Sequence, residues 1–308
     1  MSEYKLTTLA TSIAVNRLVT VHYFEYMSDF YFKGECHDFW EFLCVDKGEI
    51  EVLAGNRLYT LKKGEMIFHQ PNEFHNLKAN GVTAPNLVVI AFSSSSPAMS
   101  FFKNKILTIN EFERSLLSEI IVEYKQAFAS PLDDPSLKVL EKFKTPAFGS
   151  EQLLKQYLEH LLIHLYRRHN KIHRSKIQST PVVPLPAQDA DSELILRVIA
   201  YMEHNLHRHL TIEEICKKNL VGRSHLQKIF RDKKGCGVIE YFSNLKIEAA
   251  KQLIRNSRMN FTEIADSLGY TSIHYFSRQF KKLTNMSPRE YASSIKKLTD
   301  ISNSMELS

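Results

Sequence analysis

Four cysteines are few for 308 residues, and Cys36, Cys44, Cys216 and Cys236 show none of the close pairing of a zinc ribbon or a disulfide framework. A reducing cytoplasm is the expected compartment. Long apolar runs are missing too: a stretch such as Leu87-Val-Val-Ile-Ala-Phe92 has strand length, far short of the roughly 20 residues a membrane span needs. Met1-Ser-Glu-Tyr-Lys5 lacks the charged and apolar regions of a secretory signal, so no membrane partner is expected. The first 190 residues also lack net charge, with 21 basic and 21 acidic side chains, whereas residues 191–308 hold 19 Lys and Arg against 13 Asp and Glu. The whole formal charge of +6 therefore lies in the C-terminal part. A basic module beside a neutral one is an electrostatic footprint for phosphate, because surface cations release condensed counterions from DNA. The lysines are spread over several segments, unlike a juxtamembrane basic block.

What is present is a repeat. Leu210-Thr-Ile-Glu-Glu-Ile-Cys216 followed by Ser224-His-Leu-Gln-Lys-Ile-Phe-Arg231 recurs as Met259-Asn-Phe-Thr-Glu-Ile-Ala265 followed by His274-Tyr-Phe-Ser-Arg-Gln-Phe-Lys281. Leu226 and Phe276, Phe230 and Phe280, and Tyr241 and Tyr291 each stand 50 positions apart. Thr211 with Glu214, and Asn260 with Glu263, have the spacing of an N-cap and a returning carboxylate, so each starts a helix. Breaks near Asn219–Gly222 and Leu268–Ser272 precede a second helix with apolar residues at i and i+4. Helix, tight turn, helix is the arrangement of a major-groove reader. Burying Leu226, Ile229 and Phe230 turns Arg223, Ser224, His225, Gln227, Lys228 and Arg231 outward. Burying Phe276 and Phe280 does the same for Ser272, Ile273, His274, Ser277, Arg278 and Lys281. Arg and Gln on such a face can make bidentate bonds to base edges, although solvated helix faces carry similar residues.

These residues resemble the double helix-turn-helix domain of AraC/XylS-family transcription regulators over about residues 191–292. The resemblance rests on Ile264-Ala-Asp-Ser-Leu-Gly-Tyr270, Tyr275-Phe-Ser-Arg-Gln-Phe-Lys-Lys282 and Ser287-Pro-Arg-Glu-Tyr291, with a linker helix over Tyr241 to Arg255. Two positions depart from the family pattern: Gly222 where Ser is common, and Asn285 where Gly is common. Gly is a tolerable N-cap and Asn tolerates the left-handed conformation, so a small stability change is expected.

Upstream, short strands are expected at Leu18–Phe24, Asp38–Val45, Gly48–Leu53, Arg57–Leu61, Glu65–His69 and Leu87–Phe92, with compact turns at Ala54–Arg57 and Lys62–Gly64. Six such strands suggest a small barrel or sandwich. Their order, with His37-Asp-Phe-Trp-Glu41, Gly48, Pro71 and His75, is similar to the cupin-like sensor of AraC-type regulators. Alternation places His37, Phe39, Glu41 and Leu43 on one face. If that face lines the barrel, His37, Glu41 and His75 would hydrogen-bond a small polar effector among aromatic walls. The same trio can be read as structural rim residues. It can also be read as ligands of a divalent ion, with Glu35 and Phe39 flanking His37 where cupin enzymes carry a His-x-His pair.

Residues 111–170 turn helical, at Phe112–Tyr124 and Glu151–Tyr166. The stripe of Leu154, Leu158, Leu161, Leu162 and Leu165 pairs subunits in similar regulators, or packs on the barrel. His160 and His164, at i and i+4, have metal-like spacing but fit a solvated face. The three prolines of Ser175–Gln188 read as a linker.

The fold expected is α+β and multidomain: a cupin-like β-barrel with following helices, then an all-α tandem helix-turn-helix. The domains are 1–110 for sensing, 111–174 for dimerisation, 175–190 as linker and 191–308 for DNA binding. The resemblance implies a cytoplasmic homodimeric activator with double-stranded DNA, a small-molecule effector such as a sugar, and RNA polymerase as partners. No catalytic residue, metal or cofactor is expected. The rival readings are a metal-dependent cupin enzyme tethered to DNA and an architectural DNA-binding protein.

Overall fold

The structure is a computed structural model describing residues 5–170, 190–256 and 258–304. It divides into two compact units, residues 1–175 with 296–308, and residues 176–295. The proline-containing linker expected at 175–190 lies outside the described residues, apart from residue 190.

In the first unit, β1 (Arg17–Glu25), β2 (Tyr31–Glu35), β3 (Trp40–Lys47), β4 (Glu49–Ala54), β5 (Arg57–Lys62), β6 (Glu65–His69), β7 (His75–Lys78), β8 (Asn86–Ser93) and β9 (Ile106–Thr108) form two antiparallel sheets. One has the order β1-β8-β3-β6-β9 and the other β2-β7-β4-β5. Alternation sends Leu43, Val45, Ile67, Leu87 and Val89 of the larger sheet inward, where they meet Ile50, Val52, Leu61 and Leu77 of the smaller one. The opposite face of the larger sheet carries Phe42, Cys44, Met66, Phe68, Ile90 and Phe92. This sheet is covered on both faces, which is why β3 and β8 read as nearly continuous apolar runs.

That second face is covered by α1 (Glu111–Ala127) and α2 (Ser150–His169). Asn110 caps α1 with a full capping box. The leucine stripe expected to pair subunits is instead consumed inside the chain: Leu154, Leu158, Leu161, Leu162 and Leu165 all enter the core shared with the sheet. Its width reflects two intrachain partners, α1 and the sheet. His160 and His164 do not form a metal pair either. His164 Nδ1 lies 2.8 Å from buried Glu113 Oε1, and His160 stands edge-on to Phe112.

The second unit contains α3 (Ala190–His204), α4 (Ile212–Asn219), α5 (Arg223–Lys234), α6 (Val238–Asn256), α7 (Phe261–Ser267) and α8 (Ile273–Thr284), and α9 (Pro288–Ser304) begins within it. Both expected capping boxes form, Thr211 with Glu214 and Asn260 with Glu263. Leu226, Ile229 and Phe230 pin α5 into a core with Val198, Met202 and Ile215. Phe276 and Phe280 do the same for α8, with Phe280 meeting Tyr291 and Phe276 meeting Tyr270. Asn285 ends α8 with φ +62, doing the work of Gly235 at the end of α5 with φ +68.

A candidate effector cavity and two reading helices

Between the sheets lies a cavity of about 370 Å³, the size range of a small-molecule site. Its apolar walls come from Phe24, Tyr26, Phe30, Phe32, Leu77 and Val89. Pro135, Leu137 and Lys138, from the segment between α1 and α2, line it too. Its polar end gathers Glu35, His37, Glu41 and His75. The register explains how they meet. Glu35 on β2 is the cross-strand partner of His75 on β7, and Glu41 on β3 is the partner of His69 on β6. His37 and Phe39 precede β3, which begins at Trp40 and not at Asp38 as expected; the two rings stack at 3.8 Å. The chain returns past Pro71 through Asn72, whose backbone N–H donates to the His37 carbonyl at 2.7 Å.

The three expected residues thus converge. His75 Nε2 lies 3.4 Å from Glu41 Oε1, and His37 Nε2 lies 3.7 Å from Glu41 Oε2. Burial alone would push the Glu41 carboxyl up, but the two imidazoles at its oxygens hold it below the usual carboxylate range. Burial lowers the His75 imidazole, and the Glu35 and Glu41 carboxylates outweigh it, raising the group to about 10. His69, buried behind and stacked on His75 at 4.0 Å, is held down by desolvation. Sequence reasoning singled out three of the four clustered side chains. It noted Glu35 as a flank of His37 but did not count it among the site residues, although the spacing Glu-x-His-x3-Glu was its signal. The wall aromatics of β1 and β2 and the segment at 135–138 were also missed.

In the second unit the reading faces form on α5 and α8. Ser224, Lys228 and Arg231 are exposed on α5, and His274, Arg278 and Lys281 on α8, while Gln227, Ile273 and Ser277 are half-buried. Two residues of the first face are engaged within the protein. Arg223 pairs with Glu213 of α4 at 2.8 Å, and His225 pairs with Asp191 of α3 at 3.2 Å. On the second face Ser272 serves as N-cap, its hydroxyl oxygen accepting from the Tyr275 N–H. Arg278 lies over the Tyr275 ring, 5.7 Å from its centroid.

Two family models match at these two places. One, of the AraC-like ligand binding domain, covers residues 18–92, and the other, of a helix-turn-helix domain, covers residues 215–294. The chain is an AraC-type transcription regulator. It is 27% identical over 274 residues to the uncharacterized HTH-type transcriptional regulator YfiF of Bacillus subtilis, covering 87% of this chain and 81% of that one. A match of 28% identity to the lactose operon transcription activator of Staphylococcus xylosus covers 46% of this chain and 47% of that one. One of 27% to the activator RhaR of Yersinia pestis covers 49% and 48%. The matched regions thus span about half the length of these two activators.

The regulator carries a ligand-binding domain and a DNA-binding helix-turn-helix domain. Between the two readers runs α6, and its Lys246 is buried, donating from Nζ to the Leu268 carbonyl at the end of α7 at 2.7 Å. The Phe242 and Tyr270 rings flank the ammonium at 5.1 Å each. Desolvation lowers this lysine to about 8. A cation at a helix C-terminus satisfies an orphan carbonyl and opposes the helix dipole, which ties α6 to the second reader. Among the described residues no helix is long and apolar enough to cross a membrane.

Proposed function

We propose that this regulator is a cytoplasmic homodimer that activates transcription when a small molecule occupies the cavity of the first unit. The observation that carries this reading is the cavity itself: aromatic walls closed at one end by Glu41 between His37 and His75, in a chain that also holds two DNA readers. Glu41 and the two histidines orient the polar end of the effector, and the aromatic walls take its apolar body. Activation is favoured by the relatives named as activators, and one of those names concerns a sugar operon. RNA polymerase is the partner such an activator engages. With the leucine stripe used internally, a second copy would meet the outer faces of α1 and α2, where Phe112, Val122 and Leu153 are exposed.

On DNA, α5 and α8 enter successive major-groove segments about 34 Å apart. Arg278 and Gln227 read base edges, with Ser224, Ile273, His274 and Ser277 beside them. Lys228, Arg231 and Lys281 contact phosphate, and Arg223, His225 and Ser272 position the helices. The test is a thermal-shift screen of the full-length protein against metabolites, followed by DNA affinity with each hit. A true effector at 100 times its dissociation constant adds about 2.7 kcal/mol of stability. Stabilising ligands that leave operator affinity unchanged would remove the regulatory reading.

A further inference from the structure

The polar end of the cavity is built more widely than hydrogen bonds require. His37 Nδ1 stands 3.1 Å from the Phe39 carbonyl and His75 Nδ1 stands 3.1 Å from the Glu73 carbonyl. A carbonyl only accepts, so each Nδ1 carries a proton and each ring turns its Nε2 toward the carboxylates, where a bound ion would displace the proton that the carboxylates favour on the His75 Nε2. Both Nε2 atoms are buried without a hydrogen-bond partner, and His75 as a residue is only 1% exposed. The gaps from Nε2 to oxygen are 3.4 Å and 3.7 Å to Glu41 and 3.7 Å from His75 to Glu35. A charge-assisted hydrogen bond spans about 2.7–2.9 Å. Two ligands bonded at about 2.0–2.2 Å around a tetrahedral ion stand roughly 3.3–3.6 Å apart; the 3.4 Å gap lies in that range and the two 3.7 Å gaps just beyond it, so a small inward movement of the side chains would close the cluster on an ion. One ligand atom from each of Glu35, His37, Glu41 and His75 lies within 4.8 Å of all the others.

We propose that these four side chains hold one divalent transition-metal ion, with two imidazole nitrogens and two carboxylate oxygens as ligands. Imidazole selects zinc, iron or nickel over magnesium or calcium. The backbone carbonyls at Phe39 and Glu73 are the outer partners that fix the ring orientation of metal-bound histidines. Glu35 reaches the cluster from the edge of the cavity, its side chain half-exposed, so it supplies the fourth protein ligand, and an ion that expands to five-coordination would have its added position facing the cavity. An effector with an oxygen or nitrogen donor at one end of an apolar body would complete the shell. That last point rests on reading the cavity as the effector site, whereas the ion site rests on the side-chain geometry alone.

The experiment is metal titration of the full-length protein after chelator stripping, with Zn²⁺ and Ni²⁺ as probes, read by calorimetry and by metal content after dialysis. One ion per chain is expected. Glu35→Gln should weaken binding at least tenfold while leaving the circular dichroism and the metal-free melting temperature unchanged, because that side chain is half-exposed. His37→Gln should abolish stoichiometric binding. Less than one ion per chain, or one ion bound equally well by the Glu35→Gln, His37→Gln double variant, overturns the proposal. An effector that acts fully on stripped protein removes the metal's part in sensing and leaves the cavity's role standing. One ion bound with no effector found in any screen would leave the ion site supported and count against the sensor reading.

Discussion

At the turn between α4 and α5 stands Leu220, 94% exposed and held at φ +52. At the matching turn between α7 and α8 stands Gly269, with φ +63, where an added Cβ would come within 2.4 Å of the His207 carbonyl oxygen and 2.7 Å of Arg208 Cα. The first turn faces open solvent and tolerates a strained leucine. The second is pressed against the segment joining α3 to α4, and only glycine fits there. The reading faces differ in the same sense. In the first copy Arg223 and His225 are already held by Glu213 and Asp191, and Gly222 supplies no capping side chain. In the second, Ser272 caps the helix, and His274, Arg278 and Lys281 form no ion pair among the described residues. A duplicated sequence has thus yielded one reader whose turn is pressed into the domain and whose polar side chains are available, and one in which Arg223 and His225 are engaged by their own neighbours. The second copy should dominate DNA recognition.

The turns give the largest contrast. Gly269→Ala combines left-handed strain of about 1–2 kcal/mol with overpacking of about 1–3 kcal/mol against backbone, and chemical denaturation should show a loss of that combined size. Leu220→Gly should instead stabilise by about 1 kcal/mol, since it removes strain and no buried contact. Equal losses at both turns would erase the distinction. The next contrast is on DNA: Arg278→Ala should cost about 1–3 kcal/mol on the selected operator and relax preference at one base pair. Arg223→Ala should cost under about 1 kcal/mol, because DNA binding would first have to break its exposed pair with Glu213. Lys281→Ala should weaken all sequences alike and reduce the salt slope by about one unit. If Arg278→Ala weakens operator and random DNA equally, it is not a base reader.

Caps make a smaller difference. Ser272→Ala should lower stability by about 1 kcal/mol, and Gly222→Ser, at a position with open space around it, should raise it by a few tenths. The pH response of Lys246 falls in the alkaline range. Its folded value of about 8 lies below its ordinary value of 10.5, so between these limits the unfolded chain binds more protons and stability rises with pH. Denaturation at pH 8 and pH 10 should show that rise in the wild type and its loss in Lys246→Met.

The elements that sequence reasoning recovered are those whose signals are local. Capping boxes at Thr211 and Asn260, the paired Phe230 and Phe280, and the left-handed Asn285 all depend on neighbours within one turn of helix. The strands missed, β2, β7 and β9, are three to five residues long, and β2 contains Gly34 at φ +110, where a Cβ would stand 2.5 Å from the Phe74 ring. No period can establish itself over such a length. The leucine stripe of α2 was legible as buried, but its width could not say whether the partner belonged to the same chain. His37, Glu41 and His75 were legible because strand alternation and the Pro71 turn bring them together. Glu35 was noted only as a flank of His37; its spacing in Glu-x-His-x3-Glu was a local signal, and the register of β2 against β7 is what sets it opposite His75.

The proposed function requires the cavity of the first unit to govern DNA binding by the two readers of the second. The direct measurement is the operator affinity of the full-length protein at fixed salt, with and without a small molecule that stabilises it, for the wild type and for Glu41→Gln. Removing the carboxylate should cost about 1–3 kcal/mol of effector binding, or one to two orders of magnitude in effector concentration. The wild type should show an effector-dependent change in affinity, Glu41→Gln should require that higher effector concentration, and both proteins should have the same basal affinity. An unaltered effector response in a folded Glu41→Gln variant would contradict that requirement.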